Sequence, residues 1–175
     1  IGSSAGYTIT SGGNNVFLGY HAAYNVTAGS KNVIVGRHAG NKLASGSSDT
    51  YIGYSAGYYA TGSYNTFVGE SAGLGGTTSA PFSSGENNVA IGYQALTGFT
   101  TGGTNVAVGY QAGRVVTTAT NNTLVGPYAG YDLTTGTGNT LIGSEADGNN
   151  ETGDYNTIIG YQAATGAHGR SHESN

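Results

Sequence analysis

The chain has no cysteine, methionine or tryptophan, only two prolines, and only 8 % Asp, Glu, Lys and Arg. Without cysteine it forms no disulfide and does no thiol chemistry. Five Lys and Arg stand against nine Asp and Glu, a net charge of −4. That leaves no basic stripe to neutralise phosphates, so nucleic acid is not expected as a partner. No apolar run approaches ~20 residues, so no membrane insertion by this segment is expected, and no signal peptide stands out. No Ser/His/Asp set, paired-carboxylate motif, Walker loop or HExxH pattern occurs, and no Lys sits where a phosphate loop needs one. The chain is therefore not expected to be an enzyme, and no catalytic, cofactor or metal residue is assigned.

What abounds is Gly, 33 of 175 residues, against a usual share of ~7 %. These glycines are periodic. The phrase Asn105-Val106-Ala107-Val108-Gly109-Tyr110-Gln111-Ala112-Gly113 recurs with variation along the chain. With the Gly after the short apolar run as anchor, the series is Gly2, Gly19, Gly36, Gly53, Gly69, Gly92, Gly109, Gly126, Gly143 and Gly160. The spacing is 17 residues except for one step of 16 and one of 23. A fixed period of this length predicts a solenoid, one coil per repeat. The expected class is all-β, a parallel β-solenoid of about ten coils over residues 1–167, with an insertion at 74–85 and a connector or tail at 168–175. Because the chain opens inside a repeat, it is expected to belong to a longer protein.

The columns of the repeat carry the physics. Asn stands four residues before the anchor (Asn15, Asn32, Asn65 and onward), with Asp49 the variant. Stacking predicts a ladder bonded along the solenoid. Gly seven residues before the anchor predicts a corner needing positive φ or close backbone approach. Ala follows every anchor by three residues, which predicts a tight interior.

Three residues between Asn and the anchor read as a strand. Its outer two, such as Val16/Leu18 and Thr50/Ile52, are expected to line the coil. The middle residue then points outward and is apolar too. Stacked at ~4.8 Å per coil, that column makes a stripe on the order of 40 Å long. A stripe of that length predicts self-association, with Phe17, Ile34, Tyr51, Phe67, Leu124, Leu141 and Ile158 at the interface between chains.

Other residues admit two readings. His21 and His38, one period apart, are either solvated side chains or a metal site shared between chains. Pro81 and Phe82 in the insertion, and the Tyr column including Tyr93 and Tyr110, are candidate ligand contacts for glycan or protein; alternatively the insertion is passive and the tyrosines stack for stability. Glu145, Asp147, Glu151 and Asp154 form a solvated acidic corner, or less simply a calcium site.

The N-[TV]-x-[IVL]-G-x-x-A-G phrase resembles the head repeat of trimeric autotransporter adhesins and is similar to repeats in tail-fibre proteins of phages and bacteria. The resemblance covers about residues 1–167. It implies left-handed β-rolls, three chains about a threefold axis, and an extracellular fibre, on a cell surface or virion appendage, that attaches to surfaces. The longer repeat and the Tyr-rich positions depart from the adhesin pattern toward the tail-fibre side. The expected function is thus a structural or adhesive segment of a homotrimeric fibre, binding cell-surface glycan or protein or serving as a rigid shaft. Two alternatives stand beside it. One is an ice-binding solenoid, suggested by Thr100-Thr101, Thr117-Thr118 and Thr134-Thr135. The other is a glycan-cleaving tailspike, for which Glu145 and Asp147 are the close acid pair.

Overall fold

A computed structural model describes residues 1–77, 79–149 and 151–164. Nine strands of three residues each follow one per repeat: β1 (Val16–Leu18), β2 (Val33–Val35), β3 (Thr50–Ile52), β4 (Thr66–Val68), β5 (Val89–Ile91), β6 (Val106–Val108), β7 (Thr123–Val125), β8 (Thr140–Ile142) and β9 (Thr157–Ile159). They form one sheet in sequence order, every neighbour parallel and in register. No helix occurs among the described residues. The architecture is a β-solenoid of about eight turns. It has fewer turns than anchors because Gly2 precedes the first strand and the last anchor, Gly160, closes β9. The boundary expected at 167–168 lies outside the described residues.

The Asn ladder is the inner seam of the stack. The Asn105 N–H donates to Asn88 Oδ1 (3.0 Å), and the Asn122 N–H donates to Asn105 Oδ1 (3.1 Å). From Asn15 to Asn139 each Asn amide also donates to the carbonyl seven residues before the next anchor, as Asn32 does to Gly46 (2.9 Å) and Asn122 to Gly136 (2.9 Å). The Gly column at that place therefore reflects close backbone approach. A Cβ on Gly29 would meet Asn32 Nδ2 at 2.9 Å as well as the Gly46 carbonyl. The anchor glycines have a different reason. Gly126 sits at φ +131, and a Cβ there would lie 2.5 Å from the Gly143 carbonyl oxygen, so only Gly fits.

The strand faces are the reverse of the sequence expectation. Ile34, Tyr51, Phe67, Leu124 and Leu141 are fully buried within the single chain, and Phe17 and Ile158 pack against that core at its two ends. The five fully buried residues therefore line the coil and are not free to form an interface between chains, and Phe17 and Ile158 continue the same inner column half-buried. The physical reason is a third interior column that completes the ring around the Ala column: Val26, Leu43, Ala60, Phe99, Val116 and Leu133, seven residues after six of the anchors, all fully buried. Its volumes offset those of the middle strand column. Tyr51 shares its coil with Ala60, Phe67 with Gly76, and Ala90 with Phe99. Leu96, which stands where most coils have Gly, adds further volume between Ala90 and Ala107. The large rings stack from coil to coil, Tyr51 on Phe67 at 4.9 Å and Phe67 against Phe99 at 5.5 Å. Dense filling of this kind leaves no room for the outer strand residues inside.

Candidate functional site

With the middle column inside, period-2 alternation turns the outer strand residues to the surface. Val16, Leu18, Val33, Ile52, Ile91, Ile142 and Ile159 are exposed, and the remaining members of these columns are mostly half-buried. The result is an apolar stripe, two residues wide, running from β1 to β9. Thr50, Thr66, Thr123, Thr140 and Thr157 share its first column with valines.

Beside the stripe run the columns that follow the anchor. Residues two places after it adopt left-handed backbone without being Gly, as at His21 (φ 55), His38 (φ 60), Gln94 (φ 54) and Tyr128 (φ 59). A second such corner precedes the ladder Asn, at Lys31 (φ 62) and Tyr64 (φ 63). These αL corners aim neighbouring side chains along the surface in register. Tyr93 stacks on Tyr110 at 5.3 Å, and Tyr110 meets Tyr128 edge-on at 5.2 Å. Arg114 donates from Nη1 to the Tyr131 hydroxyl at 2.8 Å. Nearer the start of the chain, Tyr20 stacks on His21 at 4.0 Å, and His21 lies 5.4 Å from His38. Arg37 lies between two phenols of its own column, 5.8 Å from the Tyr20 ring and 5.6 Å from that of Tyr54. Desolvation lowers the His38 pKa, with Arg37 and His21 adding to the effect, which favours the neutral imidazole.

The insertion folds back on this aromatic group. Gly75 and Gly76 still bond to Thr97 and Phe99 of the next coil, and Ser83 rejoins the stack at Tyr59 and Thr61. The extra chain stands between those points. Pro81 is exposed, whereas Phe82 lies against Tyr59 at 5.9 Å with the Lys42 ammonium 5.8 Å from its ring. The four candidate contacts therefore fall into two groups: Tyr93 and Tyr110 in one ladder, Pro81 and Phe82 on another. The structure joins Phe82, through Tyr59 and Tyr58, to His38.

The acids of the corner near residue 150 have separate structural contacts. Glu145 accepts from Gln162 at 2.7 Å, Asp154 accepts from the Thr137 N–H at 2.6 Å, and Asp147 is buried. Among the described residues no three His, Cys, Asp or Glu side chains gather as a metal-binding group. The Thr pairs are divided between roles. Thr100, Thr117 and Thr134 donate their hydroxyls to carbonyls of the following coil at 3.1, 3.0 and 2.8 Å. These hydroxyls serve as inter-coil cross-links, while Thr101, Thr118 and Thr135 beside them are exposed.

The corner after the anchor carries no Gly, and the corner before the ladder Asn carries a single one, Gly138 (φ 74), so the register of the surface aromatics could not be read there. The third interior column could have been, since apolar residues recur at that place. No family model, curated protein or solved structure matches the chain.

Proposed function

We propose that the chain is a segment of an extracellular trimeric fibre, in which copies pack side by side through the exposed stripe and the aromatic columns face outward for surface attachment. The observation that carries this reading is the stripe itself. It is an uninterrupted two-column band of Val, Ile, Leu and Thr along one side of the solenoid. A soluble monomer rarely exposes a patch so long. Covering each exposed aliphatic would contribute roughly 1–2 kcal/mol. Parallel, in-register packing repeats that gain at every coil, and a closed ring satisfies each copy alike. The resemblance to adhesin heads and tail fibres supplies the number three and the extracellular setting.

The rest of the molecule suits a rod. The core is continuous, the ladder cross-links each coil to the next, and the Thr hydroxyls add a second line of bonds. Stability in such a stack is approximately a sum of neighbour terms, so length adds stiffness without a larger core.

The test is a charge placed on the stripe. Ile91→Asp, at the middle of the stack, should leave the circular dichroism unchanged and reduce the sedimenting species to a single chain. If the assembly size were unaffected by Ile91→Asp, the stripe would not be the contact.

A further inference from the structure

The charges of this chain are segregated along its axis. Of nine acids, only Asp49 precedes residue 70, while Lys31, Arg37 and Lys42 all do. Asp49 is itself fully buried in the ladder. The first half of the rod thus presents cations without exposed acids, although the chain as a whole is acidic. Within that half, one column places Tyr20, Arg37 and Tyr54 on three successive coils, and His21 and His38 flank it. Glu70, the next residue of the column, bounds the patch on its far side.

The guanidinium is exposed and held between two phenols, each of which keeps 46 % of its surface open. His21 backs the Tyr20 ring, so these side chains lose little freedom when something docks on them. The order is phenol, cation, phenol. A planar five-donor cation pairs with a carboxylate in bidentate fashion, and the flanking phenols offer a flat apolar surface with a polar tip. A ligand that matches has its carboxylate fixed on a rigid ring whose faces are C–H-rich. A uronate-type sugar has that form. An acidic peptide carries its carboxylates on flexible stems with no rigid apolar face beside them.

We propose that the Tyr20–Arg37–Tyr54 column, flanked by His21 and His38, is a binding site for an acidic saccharide, its carboxylate on Arg37 and its ring against the exposed phenol surface. This rests on the surface-attachment part of the fibre reading and names the ligand class and the place.

Isothermal calorimetry of the whole chain with a mannuronate hexasaccharide tests it, with cellohexaose and hexaglutamate as comparison ligands. The mannuronate should bind at least about tenfold more tightly than either, the size of one lost charge-assisted hydrogen bond. Arg37→Ala should weaken it by about the same factor. Arg37→Lys should recover part of the loss, since charge remains and the fork does not. Arg114→Ala, which alters the cation on Tyr131 several coils away, should leave binding unchanged. Tyr54→Ala should weaken binding of the mannuronate. Melting curves confirm that each variant is folded. Failure of the mannuronate to bind, equal binding of hexaglutamate, or an unchanged Arg37→Ala titration overturns the proposal. Light scattering on the same samples separates this result from the assembly: a single chain that binds in an Arg37-dependent way keeps the site and removes the trimer, and a trimer that does not bind does the reverse.

Discussion

Asp49 is the one carboxyl in a ladder of amides, and replacing it by Asn should stabilise the solenoid at neutral pH. In the rungs on either side, Asn32 and Asn65 donate their amides to the Gly46 and Gly85 carbonyls at 2.9 and 3.1 Å. Asp49 Oδ1 accepts the Asn65 N–H at 2.8 Å, as an Asn would. Its Oδ2 occupies the place of the amide nitrogen, is buried, and has no hydrogen-bond partner. By register it faces the Gly62 carbonyl, which can receive a hydrogen bond only if the carboxyl is protonated. Burial accordingly raises the Asp49 pKa to about 7, against the opposing effects of the Asn65 backbone N–H and of the Tyr51 and Asn65 side chains.

The sign follows from proton linkage. The folded chain holds a proton that the unfolded chain releases near pH 4. Stability from the neutral carboxyl is therefore complete below about pH 4, falls as pH rises, and levels off above about 7. A rise of roughly three pH units at ~1.4 kcal/mol each corresponds to about 4 kcal/mol. Urea unfolding midpoints at several pH values between 4 and 8 measure it. The wild-type chain should lose stability across that range. Asp49→Asn should lose far less and exceed the wild type by about 2–4 kcal/mol at pH 8. Parallel pH profiles for the two proteins would refute the reasoning, since no special proton would then reside in the ladder.

Other expected outcomes follow from the same geometry. Leu124→Ala should cost about 2–5 kcal/mol in the stability of the chain, because Leu124 is core and not interface. Gly126→Ala should cost roughly 2–4 kcal/mol, from the φ of +131 and the contact with the Gly143 carbonyl; thermal unfolding reads both. Asn105→Ala should cost about 2–3 kcal/mol by leaving the Asn122 N–H and the Ala119 carbonyl without their partners, and hydrogen exchange should rise first at Asn122.

The period, the strand positions, the Asn ladder and the buried Ala column were legible because each is a repeated residue type with one physical cause. The direction of the strand faces was not. Both faces of each strand are apolar, and period-2 alternation alone does not say which is inside; the volume that Phe99 and Leu96 add beside Ala90 and Ala107 shows only once the coils are stacked. Reading one column at a time hides such compensation. The surface was least legible. The αL corners at His21, His38 and Lys31 use ordinary residues, and the closure of Phe82 on Tyr59 depends on how the insertion folds back. The Arg37 cluster shows in sequence only as Tyr20, Arg37 and Tyr54 at equal steps, a pattern that acquires meaning once the coils are stacked.

The fibre reading stands most directly on the mass of the intact chain in dilute solution, measured by light scattering. Packing through the β1–β9 stripe gives three times 17.5 kDa, with that mass lost on Ile91→Asp. A wild-type chain that remains single and soluble at every concentration contradicts it, and the exposed Val, Ile and Thr ranks would then have to serve a monomer.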